Sequence, residues 1–437
     1  MNILNINDNS QKDKTEFLNI LKIVDKVADK TLNDLEKEGI FIFPNYLKES
    51  KDLTDDQMIL QSYNNVYRTS NVMGILGCND ERLVIKSRFS CMEDDYFFKY
   101  LLEHVLLLPN IIDLEINMNL DNQLFSFFVF IFPQYLKNAL RKGLFKTYVH
   151  RKYNNSNLKG TINIARHIQK NTPFIGNIAY SNREYSYDNY LTELIRHTIE
   201  VIKTKPYGNR ILSNVKEEIN LIIEATPNYQ PFSKQKIINE NKKNVIRHAY
   251  FHEYTLLQYL CLLILQNQKH QFGNGINQVY GILFDGAWLW EEYINLLVKD
   301  KFYHPMNKGC KGAQRLFDGN IGLIYPDFIS KNNDVRIIAD AKYKPIENIN
   351  NRDYFQIIAY MMRFDAKTGI CFYPESKGNL DVCLKMNKGI TYEKNVEARE
   401  DIKVIKQGLK IPNNAKNYKE FSKMMKESEN EFLKNLI

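Results

Sequence analysis

Two short apolar runs in the last third of the chain restrict its fold more than any other feature. They read GLIYPDFI (322–329) and VRIIADAKYK (335–344), and the polar string SKNND lies between them. Apolar, β-branched runs separated by a turn-like string predict a β-hairpin. A predicted helix over residues 352–363 and the strand-like runs GICFYP and LDVCLKM follow. This order predicts a C-terminal α/β core with a mixed sheet flanked by helices, within an α+β multidomain protein.

Polar residues interrupt the two strands at positions that predict a shared site. Asp327 follows Pro326, while Asp340 and Lys342 are two residues apart and share one face of a strand. Two carboxylates that converge are hard to keep ionised without a cation, and Mg²⁺ prefers carboxylate, carbonyl and water ligands. The pattern therefore indicates metal-assisted hydrolysis of a phosphodiester. An ordinary salt bridge at the end of a strand is the alternative interpretation.

Two predicted helices add candidates to this site. Glu291 lies in the string LWEEYI and supplies a further carboxylate, although the adjacent Glu292 is an equal candidate by sequence. Gln356 and Tyr360 are one helical turn apart, so they face the same direction. They are candidates for the polar edge of the same site.

The strings Pro326-Asp327 and Asp340-Ala341-Lys342 resemble the catalytic motif of the PD-(D/E)xK nuclease superfamily. More narrowly, SRFSCMEDDYFFKYLLEHV (87–105) and LKGTINIARHI (158–168) resemble the McrC family, the endonuclease subunit of McrBC-type restriction systems. The resemblance implies a restriction-endonuclease-like core that cleaves DNA with Mg²⁺. It implies that Asp327, Asp340 and the carbonyl of Ala341 are metal ligands and that Lys342 is the catalytic lysine.

The resemblance also implies a partner, an AAA+ GTPase motor similar to McrB that translocates DNA. The dipeptide Gly-Lys does not occur in the sequence, so the chain has no phosphate-binding Walker A loop of its own. Two other functions stay open at this point. The chain is alternatively an activator module of the motor, with cleavage secondary or lost, or a stand-alone repair nuclease of the same superfamily.

The positive charge of the chain is concentrated in one segment. Lys and Arg number 59 against 51 Asp and Glu, and residues 122–183 hold ten of these cations and no acid. Tyr148 and Tyr153 are interleaved with them, as in surfaces that bind nucleic acid. The segment is predicted to contact DNA phosphates or an acidic face of the motor. The candidate DNA-binding residues are Lys146, Arg151, Lys152, Lys159 and Arg166.

The length of 437 residues predicts two to three domains. We place an α+β, partner-binding domain at residues 1–145, with a hairpin around the string GCNDE (77–81). A basic middle region follows at 146–244, ending in a polar connection at 225–243, and the nuclease domain occupies 245–437.

The sequence also predicts the compartment. The N-terminus is polar where a signal peptide needs an apolar block, and the six cysteines are scattered without a CxxC pair. The two most apolar stretches, 124–132 and 259–265, are far shorter than the roughly 18 residues of a membrane span. We expect a cytoplasmic protein that does not bind membranes.

Overall fold

The computed structural model describes most of the chain as two compact units. The first unit comprises residues 1–116 and 275–437, and the second comprises residues 117–274. The described residues are 2–38, 40–43, 58–90, 94–105, 120–246, 250–267, 279–305, 314–319, 321–332, 334–378, 381–389 and 397–436.

The elements follow in chain order. The strands are β1 (Asn2–Asn7), β2 (Gln11–Asp13), β3 (Ile40–Phe43), β4 (Leu60–Tyr63), β5 (Val66–Thr69), β6 (Val72–Cys78), β7 (Glu81–Lys86), β8 (Thr147–Asn155), β9 (Thr161–Ile162), β10 (Ile178–Ser186), β11 (Tyr280–Asp285), β12 (Phe302–Tyr303), β13 (Gln314–Arg315), β14 (Leu323–Ile324), β15 (Phe328–Ser330), β16 (Ile337–Ala341), β17 (Thr368–Glu375), β18 (Val382–Lys388) and β19 (Glu397–Lys410). The α-helices are α1 (Leu21–Val27), α2 (Leu32–Lys37), α3 (Tyr96–Val105), α4 (Leu120–Leu140), α5 (Ile164–Lys170), α6 (Tyr190–Lys203), α7 (Gly208–Leu212), α8 (Lys216–Ala225), α9 (Lys234–Lys243), α10 (His252–Asn267), α11 (Gly286–Val298), α12 (Asn351–Phe364) and α13 (Tyr418–Asn435).

A five-stranded sheet in the first unit combines four strands from the first 86 residues with one strand from far along the chain. Its order is β1-β7-β6-β11-β3, and the predicted hairpin is the antiparallel pair of β6 and β7. Strand β11 pairs antiparallel with β6 and parallel with β3, although it comes some 200 residues after β6. A strand that lies in the third predicted domain thus belongs to the same sheet as strands of the first.

A six-stranded mixed sheet forms the other large part of the first unit. Its order is β12-β15-β16-β17-β19-β18. The predicted hairpin is the antiparallel pair of β15 and β16, with Phe328 opposite Ala339. Strands β16 and β17 are parallel and are connected through α12, while α11 and α13 also pack on the sheet. The predicted mixed sheet with flanking helices is therefore confirmed.

Local sequence explains where α12 begins and ends. The side chain of Asn350 caps its first turn, and Asp353 Oδ2 accepts a hydrogen bond of 3.0 Å from the backbone N–H of Asn350. Asp365 ends the helix in the left-handed conformation, with φ of 52°. Such a capping box satisfies backbone donors that the first turn leaves without intrahelical partners.

The second unit combines helices with a small antiparallel sheet of order β8-β10-β9. The polar connection predicted at 225–243 is largely helical, since α9 occupies its second half. A buried amide network stabilises this helix: Gln258 donates to Asn241 Oδ1 at 2.8 Å, and Asn241 donates to the carbonyl of Tyr190 at 2.8 Å. Within the described residues, none of the helices combines the length and apolar character that crossing a bilayer requires.

Candidate active site

The end of strand β16 presents Lys342, which directly follows it, and Asp340 to α12. Ile338, two residues earlier on the same face, packs in a core with Ile357 and Tyr360 of that helix. The carboxylate of Asp340 forms an ion pair with the Lys342 ammonium, and their side chains are only 4% and 12% exposed. Each buried charge of such a pair is held in place by the other, because a buried charge without its partner costs several kcal/mol.

Asp327 joins this pair from the neighbouring strand. It directly precedes β15, and its Oδ2 accepts a hydrogen bond of 2.8 Å from the backbone N–H of Ala341. Burial and the nearby carboxylates of Asp340 and Glu291 raise the pKa of Asp327 well above its ordinary value. The negative charge of the acidic side chains at this point of the sheet therefore exceeds the positive charge of the one lysine.

A chain of hydrogen bonds leads from Lys342 along α12. Lys342 Nζ donates to Gln356 Oε1 at 2.8 Å, and Gln356 Nε2 donates to the Tyr360 hydroxyl at 2.7 Å. Burial alone would lower the pKa of Lys342, but the carboxylates of Asp340 and Asp327 raise it above its ordinary value. Burial raises the pKa of Tyr360 to about 12. The lysine is thus cationic and the phenol neutral at physiological pH.

His304 connects Glu291 to this site and was not among the predicted residues. Its Nδ1–H donates to the backbone carbonyl of Asp327 at 2.8 Å, and its Nε2 lies 3.6 Å from Glu291 Oε1. The structure therefore directs Glu291 towards Asp327 through the imidazole. The sequence around His304 carries no periodic or motif signal that predicts this position.

Asp353 is a second residue that the sequence analysis missed. Its carboxylate lies 3.6 Å from Lys342 Nζ and accepts two bonds of 2.8 Å from Lys344 Nζ. Although burial raises the pKa of Asp353, the hydrogen bonds from Lys344 and the backbone of Asn350 lower it overall. The Asn-x-x-Asp spacing of a capping box was the available signal for this residue.

The arrangement provides hard oxygen donors beside a fixed ammonium group. Asp327 and Asp340 are the residues that can hold a divalent cation, and Lys342 can donate to an anionic oxygen. Across the part of the chain that the structure describes, no three His, Cys, Asp or Glu side chains are gathered as a ready-made metal cage.

Part of the basic segment lies on one face of the small sheet of the second unit. Tyr148, His150 and Lys152 alternate outward along β8, and Arg183 of β10 lies over the Tyr148 ring with 4.4 Å between guanidinium and ring centroid. Lys146 likewise lies 5.0 Å from the ring of Tyr185 and 4.8 Å from that of Tyr187. This face, hereafter the basic sheet face, combines cations with aromatic rings.

The other predicted DNA-binding residues differ in what they contact. Arg151 forms an ion pair of 2.9 Å with Asp188, and Arg166 donates to the backbone carbonyl of Tyr153. Both guanidinium groups therefore serve internal contacts of the second unit. Lys152 and Lys159 are exposed.

Comparison with known proteins places the chain in a family. The sequence model of the family described as "McrBC 5-methylcytosine restriction system component" matches residues 67–374. The match covers more than half of the chain, so this protein belongs to the McrBC family. No curated protein sequence matches the chain.

Two solved structures are distant neighbours of this chain. One is a half-complex of Thermococcus gammatolerans McrB AAA+ hexamers with bound McrC, at 14% identity and a TM-score of 0.46, covering 97% of this chain and 99% of that chain. The other is the Thermococcus gammatolerans McrBC complex, at 14% identity and a TM-score of 0.28, covering 69% of this chain and 89% of that chain.

Proposed function

We propose that this protein is the DNA endonuclease subunit of an McrBC-type restriction system and that it hydrolyses phosphodiesters with Mg²⁺. The observation that carries the proposal is the convergence of Asp327, Asp340 and Lys342 at the ends of two paired strands. Membership of the McrBC family supports the restriction role. We assign the six-stranded sheet, with α12 between β16 and β17, as the PD-(D/E)xK core.

The residues at the site fit a magnesium ion. Asp327 and Asp340 supply carboxylate oxygens, and the crowding that raises the pKa of Asp327 is relieved when a divalent cation neutralises the acids. Mg²⁺ commonly takes one or two protein carboxylates and completes its shell with water and substrate phosphate. The carbonyl of Ala341 is the third protein oxygen that we assign to it. When bound, Mg²⁺ polarises the phosphodiester and lowers the pKa of the attacking water.

The chain's own residues then position the reaction. The carboxylates of Asp340 and Asp327 raise the pKa of Lys342, and we assign Lys342 as a cationic donor to the scissile phosphate or the attacking water. Gln356 holds the ammonium through its Oε1, and Tyr360 in turn fixes the amide of Gln356. His304 holds the Asp327 backbone from the other side, and Glu291 lies 3.6 Å from the imidazole of His304.

We further propose that an AAA+ GTPase motor brings DNA to this site. The proposal follows from family membership and from the absence of the Gly-Lys dipeptide of a Walker A loop from this sequence. The basic sheet face, with the exposed Lys152 and Lys159 nearby in sequence, is our proposed contact for DNA phosphates or for an acidic surface of the motor.

Cleavage of methylated DNA tests the proposal. The full chain, its partner, GTP and Mg²⁺ are expected to cut, and chelation of Mg²⁺ with EDTA is expected to stop cutting. Asp340→Ala should be inactive. Asp381→Ala serves as a matched control, because Asp381 is an acid at the opposite edge of the same sheet that accepts a bond from the Gly408 N–H. Cleavage by Asp340→Ala at the rate of Asp381→Ala contradicts the assignment.

A further inference from the structure

The segment after β7 encloses the side chain of Tyr343, the residue that follows Lys342. The hydroxyl groups of Ser87 and Tyr343 are 2.8 Å apart and buried, although 256 residues separate them in sequence. The Arg88 guanidinium lies 5.0 Å from the centre of the Tyr343 ring, and the Phe89 ring meets it edge-on with 5.1 Å between centroids. Three consecutive residues therefore hold one tyrosine.

This segment is itself fixed by buried acids. Asp8 accepts a bond of 2.6 Å from the backbone N–H of Arg88 and another of 3.0 Å from its Nε. Asp95 accepts bonds from the N–H groups of Ser87 and Phe98, at 2.5 and 3.0 Å. Because Ser87 and Arg88 both donate hydrogen bonds to carboxyl groups, Ser87 presents its hydroxyl from a backbone that is held in place.

Tyr343 also contacts the helix that carries Glu291. A methyl group added at Gly286, the first residue of α11, would lie 2.7 Å from Cε1 of the Tyr343 ring. Only glycine leaves room for the ring at this point. The N–H of Gly286 donates to the carbonyl of Asn71 at 2.9 Å. This bond places the start of α11 next to the start of β6, the strand that begins directly after Asn71.

The backbone transmits the position of Tyr343 to Lys342. The N–H of Lys342 donates to the carbonyl of Phe372 on β17 at 2.8 Å, so the strand pairing continues past Ala341. Consecutive side chains of an extended segment point to opposite sides. Lys342 accordingly reaches Asp340 and Gln356, while Tyr343 reaches Ser87 and the Met73 sulfur.

We propose that Tyr343, held by Ser87, is a positioning residue that fixes the direction of Lys342 at the reacting phosphate. The inference rests on the proposed nuclease function and gives the Ser87-Arg88-Phe89 string a role in it. Loss of the hydroxyl contact leaves the ring packed against Gly286 but lets the backbone at Lys342 move. Small displacements of a catalytic group cost rate rather than substrate binding.

Two single variants and their combination test the proposal in the full chain with its partner. Tyr343→Phe and Ser87→Ala are each expected to lower kcat for DNA cleavage about tenfold. The two losses should not add in the double variant, because the contact that the two hydroxyl groups share is already lost in each single variant. KM for DNA and the Mg²⁺ concentration for half-maximal rate should stay unchanged, and Ser87→Thr, which keeps a hydroxyl, should remain near the wild-type rate.

Hydrogen exchange supplies a readout that does not depend on cleavage. In Tyr343→Phe the backbone amide of Lys342 should exchange about fivefold faster, as expected for the loss of one net hydrogen bond. Tyr100→Phe is the matched control, since it removes another buried tyrosine hydroxyl of the same unit, one that donates to Glu429 at 2.6 Å. That control should change neither kcat nor the exchange at Lys342.

The outcomes separate this inference from the proposed function. An unchanged kcat or an unchanged Lys342 exchange rate in Tyr343→Phe overturns the positioning role, as do equal effects in Tyr100→Phe. If the wild-type protein does not cleave at all, the proposed function fails. The exchange rates then decide alone whether Tyr343 fixes Lys342.

Discussion

The two charged regions of this protein, the acidic site of the six-stranded sheet and the basic sheet face, use charge in opposite ways. In the site, Asp340 and Lys342 are almost fully buried and are paired with each other. On the basic sheet face, Lys152 is exposed and aromatic rings stand beside the cations. Buried charges interact strongly and depend on position, whereas exposed charges act by their number and are screened by salt. The first arrangement suits chemistry and the second suits binding.

The largest effect is expected from removing the buried cation. Lys342→Met should lower the rate of DNA cleavage by about a thousandfold, the size of the loss seen when one preorganised charge donor is removed from an active site. Lys344→Met is the matched control, because Lys344 is two residues away and bonds to Asp353. It should stay within a few fold of wild type in the same single-turnover assay. Equal losses in the two variants would show that general positive charge, and not position, matters here.

An intermediate effect is expected from the basic sheet face and its neighbouring loop. Lys152→Glu combined with Lys159→Glu should weaken DNA binding about tenfold at low salt and reduce the slope of log affinity against log salt by about 2. Reversal of the exposed Lys423 and Lys426 on α13 is the control for net charge. Binding isotherms over a range of salt concentrations give both numbers.

Two comparisons interpret that experiment: the DNA affinity of the control variant, and the binding of the Lys152→Glu, Lys159→Glu variant to the motor. If both double variants lose affinity equally, the basic sheet face has no special part in binding DNA. If DNA affinity is unchanged but binding to the motor weakens, the basic sheet face binds the motor and not DNA.

The smallest effect is expected on the stability of the second unit, where the carboxyl groups of Glu193 and Asp188 lie close to each other. Burial and the Asp188 carboxylate raise the pKa of Glu193 from 4.5 to about 7. Between these two values the folded protein binds a proton that the unfolded chain does not, so this group lowers the free energy of unfolding as pH rises from 4.5 to about 7.

Glu193→Gln removes that titration. The variant should be about 1 kcal/mol more stable than wild type at pH 8, allowing for partial exposure of the side chain, and equally stable near pH 4.5. Thermal unfolding at both pH values measures the difference. A gain of the same size at both would mean that the charge of Glu193 is not its cause.

Sequence predicted the parts of the site that lie close together along the chain. The hairpin of β15 and β16 and the spacing of Asp340 and Lys342 follow from alternation, and the helical spacing of Gln356 and Tyr360 follows from the period of α12. The structure brings these side chains into one hydrogen-bonded group.

What sequence could not predict depends on distant contacts. His304 contacts Asp327 through the backbone carbonyl of that residue. A pattern of side chains in the sequence does not predict a contact of this kind. Strand β11 joins the N-terminal sheet through pairing with β6. Helix α9 lies in a polar segment, and its buried Asn241 accepts a hydrogen bond from the distant Gln258. In each case the partner that decides the structure is supplied by another part of the chain.

One measurement tests the central claim most directly. The Asp340→Asn variant is mixed with its partner, GTP, Mg²⁺ and methylated DNA, and the amounts of cut DNA and of hydrolysed GTP are measured in the same reaction. The substitution keeps the size of a side chain that is 4% exposed and removes its charge. We predict GTP hydrolysis at the wild-type rate without cut DNA. DNA cut at the wild-type rate by this variant would contradict the claim that the buried carboxylates perform the cleavage.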